Sequence, residues 1–514
     1  MKKEPPVDQR GRTGKDGNIG NENMKKKNRI LWGSVLIIIG IITAAGMILI
    51  RRDASQENQK DAGWQAYWND VKDDWTQISL LPGSDESKLN FAWYTPENTT
   101  DEESDPDMKA LAEKMDPETA DGKIPSLLIG EGKNMKKAKL YPAVQASAEG
   151  VKDSRGETYH YNYVTVSGLR ENTVYYYSYD NGKGYTEPME YRTKGFKEFS
   201  FIFAGDPQIG SPNEAKNTGS ETYRKTQSEA VSRDAKGWNQ TIQAAMKQTK
   251  NKASFIISAG DQIQTPQSQC PGRDVSYNEI EYTGFLSPPA LRSLPAAVSV
   301  GNHDGDNTNF SYHFHMPNQS RLGRTAAAGD YYFTYGNGLF LMINAQNDDT
   351  EEHRKFIEET IRKNEDCRWR IAVLHQDIYG SALHSSEPEI ISMREEMTPV
   401  LEKNKIDLVL SGHDHAYSRS KMLKGGKESD SGVKENQRVL YKNPKGILYL
   451  TGGSSSGSKY YGLAEDRQSY IAARWQENVP AYSILEAAED TLTINTYRTD
   501  CGRKTDWEVV LEKE

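Results

Sequence analysis

The run Ile406-Asp407-Leu408-Val409-Leu410-Ser411-Gly412-His413-Asp414-His415 sets two histidines just beyond a short apolar segment. Short, branched and bounded by polar residues, the segment reads as a buried strand. Four more times, toward the amino terminus, a similar segment precedes a polar block. FSFIFA leads into Gly205-Asp206-Pro207-Gln208, ASFIISA into Gly260-Asp261, LPAAVSV into Gly301-Asn302-His303-Asp304, and RIAVL into His375. In open α/β sheets the site forms where the carboxyl ends of strands converge. Five strands that each deliver a carboxylate, amide or imidazole to one edge build a polynuclear metal site.

The residue types fit that chemistry. Asp206 and Asp261 supply hard anionic oxygens, and a carboxylate can bridge two cations. His375, His413 and His415 supply imidazoles, which suit zinc, iron, manganese or nickel over magnesium or calcium. Asn302 adds a neutral amide oxygen. Two metals about 3.5–4 Å apart lower the pKa of a bound water and clamp both oxygens of an in-line displacement at phosphorus. A closed structural zinc site would be rich in Cys, whereas Cys270, Cys367 and Cys501 are far apart and form no CxxC pair. A lone Asp after a strand is ordinarily a turn or cap residue; it is the ordered set of five blocks that carries the ligand reading.

The order GD…GD…GNHD…H…GHDH resembles the calcineurin-like metallophosphoesterases, and Gly412-His413-Asp414-His415-Ala416-Tyr417 followed by Arg419 resembles their purple acid phosphatase branch. The resemblance covers roughly residues 198–510. It implies that Asp261 bridges two metals, that Asp206 and His415 complete the first metal's protein ligands, and that Asn302, His375 and His413 hold the second. His303 would contact the phosphoryl oxygen or protonate the leaving group, with Asp304 orienting its ring, and a hydroxide held by the metals would be the nucleophile. The implied cofactor is a pair of iron, manganese or zinc ions, and the implied substrate a phosphorylated small molecule.

Two positions depart from the family pattern. Purple acid phosphatases place a tyrosinate on ferric iron in a GDxxY block; here that position is Gln264, so a purple ferric centre is not expected. The broader family's first block reads DxH; here the histidine position is Gln208, whose amide oxygen is a weaker ligand. His384, on the loop Ser381–Ser386, is a candidate for substrate contact at an exposed position. His313 and His315 are expected at the pocket rim, and His160 and His353 at the surface.

Residues 1–29 carry nine Lys or Arg against four Asp or Glu, and Ile30 to Ile50 is an uncharged, predominantly apolar run of 21 residues. That run is long enough to cross a bilayer. Lys25, Lys26, Lys27 and Arg29 crowd one flank against Arg51 and Arg52 on the other, which predicts a single-pass anchor with its amino terminus cytoplasmic and the remainder outside. Its length and continuation through Met47 to Ile50 favour an anchor over a cleaved signal peptide. Residues 30–514 carry a net charge of −14, which argues against non-specific nucleic-acid binding. Three cysteines in so long an external part imply that no disulfide framework is needed, although one pair could form and leave one thiol free.

Residues 51–78, with Trp64, Trp68 and Trp75, read as a juxtamembrane linker. From 79 to 195, runs such as LNFAWYT, YNYVTVSGL and TVYYYSY predict strands. Leu169, Thr173 and Tyr175 resemble the LxxxTxY turn of fibronectin type III-like domains, and a β-sandwich in this position is similar to the amino-terminal domain of plant-type purple acid phosphatases. The acidic stretch 97–123 reads as a surface excursion. Residues 196–514 form the expected metallophosphoesterase domain, an α/β layered sandwich of two sheets flanked by helices, with helices over 230–247 and 351–363. The stretches 210–224 and 425–437 are expected to border the site. Gly452–Gly457 is Gly-rich but lacks the lysine of a P-loop.

The expected activity is therefore hydrolysis of phosphate monoesters outside the cytoplasm. A phosphodiesterase or nucleotide hydrolase would use the same centre. A non-catalytic surface-binding protein with a degenerate metal site is the alternative that Gln208 and Gln264 favour.

Overall fold

The computed structural model describes residues 62–98, 105–115, 124–211 and 221–514. The expected anchor, residues 30–50, lies outside them; among the described residues no helix is long and apolar enough to cross a membrane. The chain divides into two compact units, Met1–Tyr67 and Trp68–Glu514. Trp68 and Ile78 are buried, so the end of the expected linker is part of the larger unit's packing.

The strands β1 (Ser79–Pro82), β2 (Lys88–Pro96), β3 (Ser126–Glu131), β4 (Lys139–Pro142), β5 (Val144–Lys152), β6 (Thr158–Ser167), β7 (Val174–Tyr179) and β8 (Met189–Arg192) make two four-stranded antiparallel sheets, ordered β1-β2-β6-β5 and β4-β3-β7-β8. Alternation puts Leu89, Phe91 and Trp93 of one sheet against Leu127, Ile129 and Tyr177 of the other in a single apolar core. Within the stretch expected to be a surface excursion, Pro106–Met115 is a helix that buries Met108 and Ala112 against Leu128 and Tyr185. Its stripe, masked by acidic neighbours in the sequence, is sufficient to dock it.

Beyond residue 196 two larger sheets pack face to face. In the first, β9 (Phe199–Ala204), β10 (Ala253–Ser258) and β11 (Ala296–Val298) run parallel, and the antiparallel strand Ala481–Ala487 continues the sheet from β9. In the second, β12 (Tyr331–Tyr335) pairs antiparallel with β13 (Gly338–Met342), which runs parallel to β14 (Trp369–Val373) and β15 (Leu408–Ser411). Phenylalanines join the layers: the Phe201 and Phe255 rings lie 5.3 and 5.2 Å from that of Phe340. Helices Glu221–Gln248, Thr350–Lys363 and Pro388–Lys403 supply the α layers. The first starts earlier than its apolar periodicity suggested, and residues 425–437, expected as a loop, contribute the strands Lys427–Asp430 and Val433–Glu435.

The β-sandwich is fixed to the catalytic region through polar groups that surround a short helix, Phe310–His313. Glu279 accepts from Tyr94 (3.1 Å) and Asn309 (2.9 Å), and meets His313 Nε2 at 2.8 Å, all buried. His315 stacks on Tyr163 at 4.5 Å and meets Thr165 Oγ1 at 2.9 Å. The two histidines expected at the pocket rim are thus joints between the regions. His353, expected at the surface, is buried between Asp330 (2.8 Å) and the Asn347 carbonyl (2.9 Å). In each case the partner comes from a distant segment, which spacing along the chain does not reveal. Glu279→Ala would strand the buried Tyr94 hydroxyl and His313 Nε2, while Asn309 keeps its bond to Asn278 (2.8 Å), and is expected to lower unfolding free energy by about 3 kcal/mol. Denaturant unfolding of the variant checks this, and an unchanged midpoint would remove Glu279 from the joint.

Candidate metal centre

Because β9, β10 and β11 are parallel in one sheet and β14 and β15 in the other, all five polar blocks leave their strands at the same edge of the sandwich. Glycines let them meet. Gly260 has φ +91°, and a Cβ there would lie 2.4 Å from His375 Nδ1; a Cβ on Gly301 would lie 2.2 Å from the Asp261 amide nitrogen and Oδ1. Gln208, Asp261, His413 and His415 all hold positive φ, at 39°, 49°, 70° and 49°. Non-glycine residues rarely adopt that conformation, and such strain concentrates at functional sites.

Two groups of donor atoms result. Asp206, Asp261 and His415 are buried, with ligating atoms all within 4.8 Å of one another. Next to them, His375 Nε2 lies 2.9 Å from Asn302 Oδ1, 3.2 Å from His413 Nδ1 and 3.4 Å from Asp261 Oδ2, and His413 Nδ1 lies 3.1 Å from Asn302 Oδ1. Ligands about 2.0–2.1 Å from a tetrahedral ion stand roughly 3.3 Å apart, so this spacing suits an ion at their centre. Asp261 faces both groups.

Tautomers point the same way. His375 Nδ1 donates to the Ala259 carbonyl (2.8 Å) and His415 Nδ1 to the Lys459 carbonyl (3.0 Å). With Nδ1 so engaged, each ring turns Nε2 into the site, an arrangement that metal-ligating histidines use. A lone pair on His375 Nε2 facing the Asn302 oxygen at 2.9 Å needs a cation or a proton between them. Asp206 Oδ2, Gln208 Oε1 and Gln264 Oε1 are buried without a hydrogen-bond partner among the described residues. The residues present fit a pair of metal ions.

Electrostatics report the same unbalanced cluster. Burial, joined by the charge of Asp261, pushes Asp206 up to about 7. Burial also opposes charge on Asp261, but the His375 and His303 rings outweigh it and hold that carboxyl far below the usual range. His375 is pulled up to about 10 by Asp261 against the effect of burial, while burial pushes His415 down to about 3. A bound cation would take over the role that the His375 proton plays here.

The surrounding residues divide into those the sequence placed and those it did not. His303 lies at the rim, with Nδ1 against the Gln264 carbonyl and Nε2 4.0 Å from Asp261 Oδ2. Asp304 does not orient that ring. Its carboxylate accepts from the backbone N–H groups of Gly301 (3.0 Å) and Gln262 (3.1 Å), which ties the second and third blocks together. The correction has a simple cause: adjacent residues on a tight turn point apart. Asp414 likewise turns away from its flanking histidines and accepts from the Ala382 and His384 amides, both at 2.7 Å. That brings His384 to the site, where its ring lies 4.4 Å from His413 and its Nδ1 2.7 Å from Glu387. Glu281, absent from the sequence reading, accepts from the Gln264 and Thr265 amides at 3.1 and 2.8 Å and so holds the second block. Lys459 and Tyr461 were also missed; the Gly-rich run before them was their one signal.

Comparison with known proteins agrees with this geometry. Residues 199–417 match the family model for calcineurin-like phosphoesterases. The chain carries such a domain, and it is a metal-dependent phosphoesterase with purple acid phosphatase homologues. It is similar to probable purple acid phosphatase 20 of Arabidopsis thaliana, with 24% identity over 385 residues that cover 67% of this chain and 79% of that protein. It also resembles an uncharacterized protein of Mycobacterium tuberculosis, 22% identical over 33% of this chain and 37% of that one. In fold it resembles purple acid phosphatase PPD1 from yellow lupin (Lupinus luteus) seeds, with a TM-score of 0.59 at 17% identity, covering 85% of this chain and 74% of that one.

Proposed function

We propose that this protein is a binuclear-metal phosphomonoesterase whose catalytic region is held outside the cytoplasm by residues 30–50. The observation that carries the catalytic part is the convergence of Asp206, Asp261, Asn302, His375, His413 and His415 at one sheet edge, with their donor atoms turned inward. Asp206, Asp261 and His415 would hold one ion and Asp261, Asn302, His375 and His413 the other. The amide oxygen of Gln208, buried and unpaired, is available to the first. When bound, the pair supplies Lewis-acid polarisation of the phosphoryl group and a water acidic enough to ionise near neutral pH. Iron, manganese and zinc all suit the donors; with Gln264 in the tyrosinate position, the loaded protein would lack the purple colour.

The chain's own side chains supply orientation and proton transfer. His303 Nδ1, engaged by the Gln264 carbonyl, leaves Nε2 to contact a phosphoryl oxygen or deliver a proton to the leaving group. His384, its Nδ1 engaged by Glu387, packs its ring against His413 and is a second candidate for substrate contact. An intact ligand set of this kind is poor support for a degenerate binding protein.

The region β1–β8 is, in this reading, fibronectin III-like. Two features support that: the strand order of its two sheets, and Tyr175, whose hydroxyl accepts from the Arg170 amide at 2.9 Å beside buried Leu169, the geometry of a tyrosine corner. The domain limits 79–195 and 196–514 and the anchor belong to the same proposal; apolar length and flanking charge support the anchor.

The test compares hydrolysis of p-nitrophenyl phosphate with that of its bis ester by the metal-loaded full chain. Higher kcat/KM for the monoester is expected. Preference for the diester would replace the phosphatase reading with a phosphodiesterase one.

A further inference from the structure

The segment after strand Leu448–Thr451 is pinned onto the first metal-ligand block. Ser455 Oγ donates to the Gly205 carbonyl (2.5 Å) and its amide to the Asp206 carbonyl (3.2 Å), while Ser456 and Ser458 donate to the carbonyl of Pro207. These serines are buried, so the segment is rigid where it reaches the site. There the Lys459 carbonyl accepts from His415 Nδ1 at 3.0 Å. Its ammonium lies 5.9 Å from the centre of the Tyr461 ring, and that ring lies 4.9 Å from both His415 and His384. Among the described residues the ammonium has no ion pair and no hydrogen bond. The carboxylates of Asp261 and Asp206 attract it electrostatically, and metal ions would engage both. A half-buried cation that meets a ring face but no anion or acceptor among the described residues, on a hydrogen-bonded loop at the edge of the site, is positioned for a ligand.

We propose that Lys459 binds a non-bridging oxygen of the substrate's terminal phosphate and thereby selects phosphate monoesters, which carry a second negative charge, over diesters. The proposal rests on the phosphoesterase reading above and adds the residue that sets the substrate class. A diester presents one charge fewer and has one non-bridging oxygen fewer, since a second oxygen carries an organic group. A charge-assisted hydrogen bond of this kind contributes about tenfold or more in affinity.

The experiment uses the full chain with Lys459→Met and Lys459→Arg, since Met keeps most of the aliphatic packing and Arg keeps the charge. For each, steady-state constants are measured with p-nitrophenyl phosphate and bis(p-nitrophenyl) phosphate, together with inhibition by inorganic phosphate and metal content. Lys459→Met is expected to raise KM for the monoester and the phosphate inhibition constant about tenfold at unchanged metal content. It should also cut the monoester-to-diester ratio of kcat/KM about tenfold, with Lys459→Arg recovering much of both. A parallel fall for both esters, or lost metal, would mean that Lys459 acts only by supporting His415 and would overturn the proposal. So would an unchanged ratio. A metal-loaded wild type that hydrolyses neither ester would instead overturn the phosphoesterase reading and this proposal with it, so the two failures are told apart.

Discussion

Replacing Asp261 with alanine is expected to abolish phosphoester hydrolysis while leaving the protein folded. Asp261 faces both donor groups, so its loss opens both at once. Loss of a hydrogen-bond partner that merely orients a metal ligand costs about 10–100-fold in affinity or activity; loss of a ligand shared between two ions should exceed about a hundredfold. The fold should survive because the carboxylate's hydrogen bond inside the protein is to the His303 amide, at 2.8 Å, and because removing one of two buried like charges relieves Asp206. Asp261→Asn retains that hydrogen bond but not the charge, and is expected to be nearly as inactive. Turnover and near-ultraviolet circular dichroism of the two variants decide the matter. Wild-type hydrolysis in either would exclude Asp261 from the centre.

The second large effect is expected at Gly301, which touches no substrate. An added methyl would sit 2.2 Å from the Asp261 amide nitrogen, a backbone atom that cannot swing aside, and equally close to its Oδ1. The second block must then move by the better part of an ångström, and displacements of that size in a reacting constellation can cost about a hundredfold in rate. Overpacking adds about 1–3 kcal/mol of destabilisation. Gly301→Ala is therefore expected to lose about a hundredfold in kcat/KM with fewer metal ions retained after dialysis. Near-native activity and metal content would show that the close approach of these two blocks is not needed.

The legible part of this protein is the part built from local pattern. Strands β9, β10, β11, β14 and β15 could be read because each is a compact apolar run closed by a glycine or a polar ligand, and parallel pairing sends all their ends to one edge. Ligand types could be read for the same reason. What escaped depends on direction and on partners remote in sequence. Asp304 and Asp414 neighbour functional histidines along the chain, yet both carboxylates turn to backbone amides and hold loops. His384 looked exposed because nothing in its own loop shows that Asp414 draws that loop over His413. His313 and His353 looked like rim and surface positions, since their partners Glu279 and Asp330 lie 34 and 23 residues away. Lys459 was hidden in a Gly- and Ser-rich run whose meaning comes from the carbonyls of Gly205 and Pro207, about 250 residues earlier.

The most direct test of the centre is the number of metal ions held per chain. The purified full-length protein would be exchanged into metal-free buffer, supplied in turn with manganese, iron or zinc, freed of excess, and counted by inductively coupled plasma mass spectrometry beside its phosphatase activity. Two ions per chain, removed by chelator together with activity and restored together, is the result this account predicts. One ion or none under every metal, with no turnover, would contradict it.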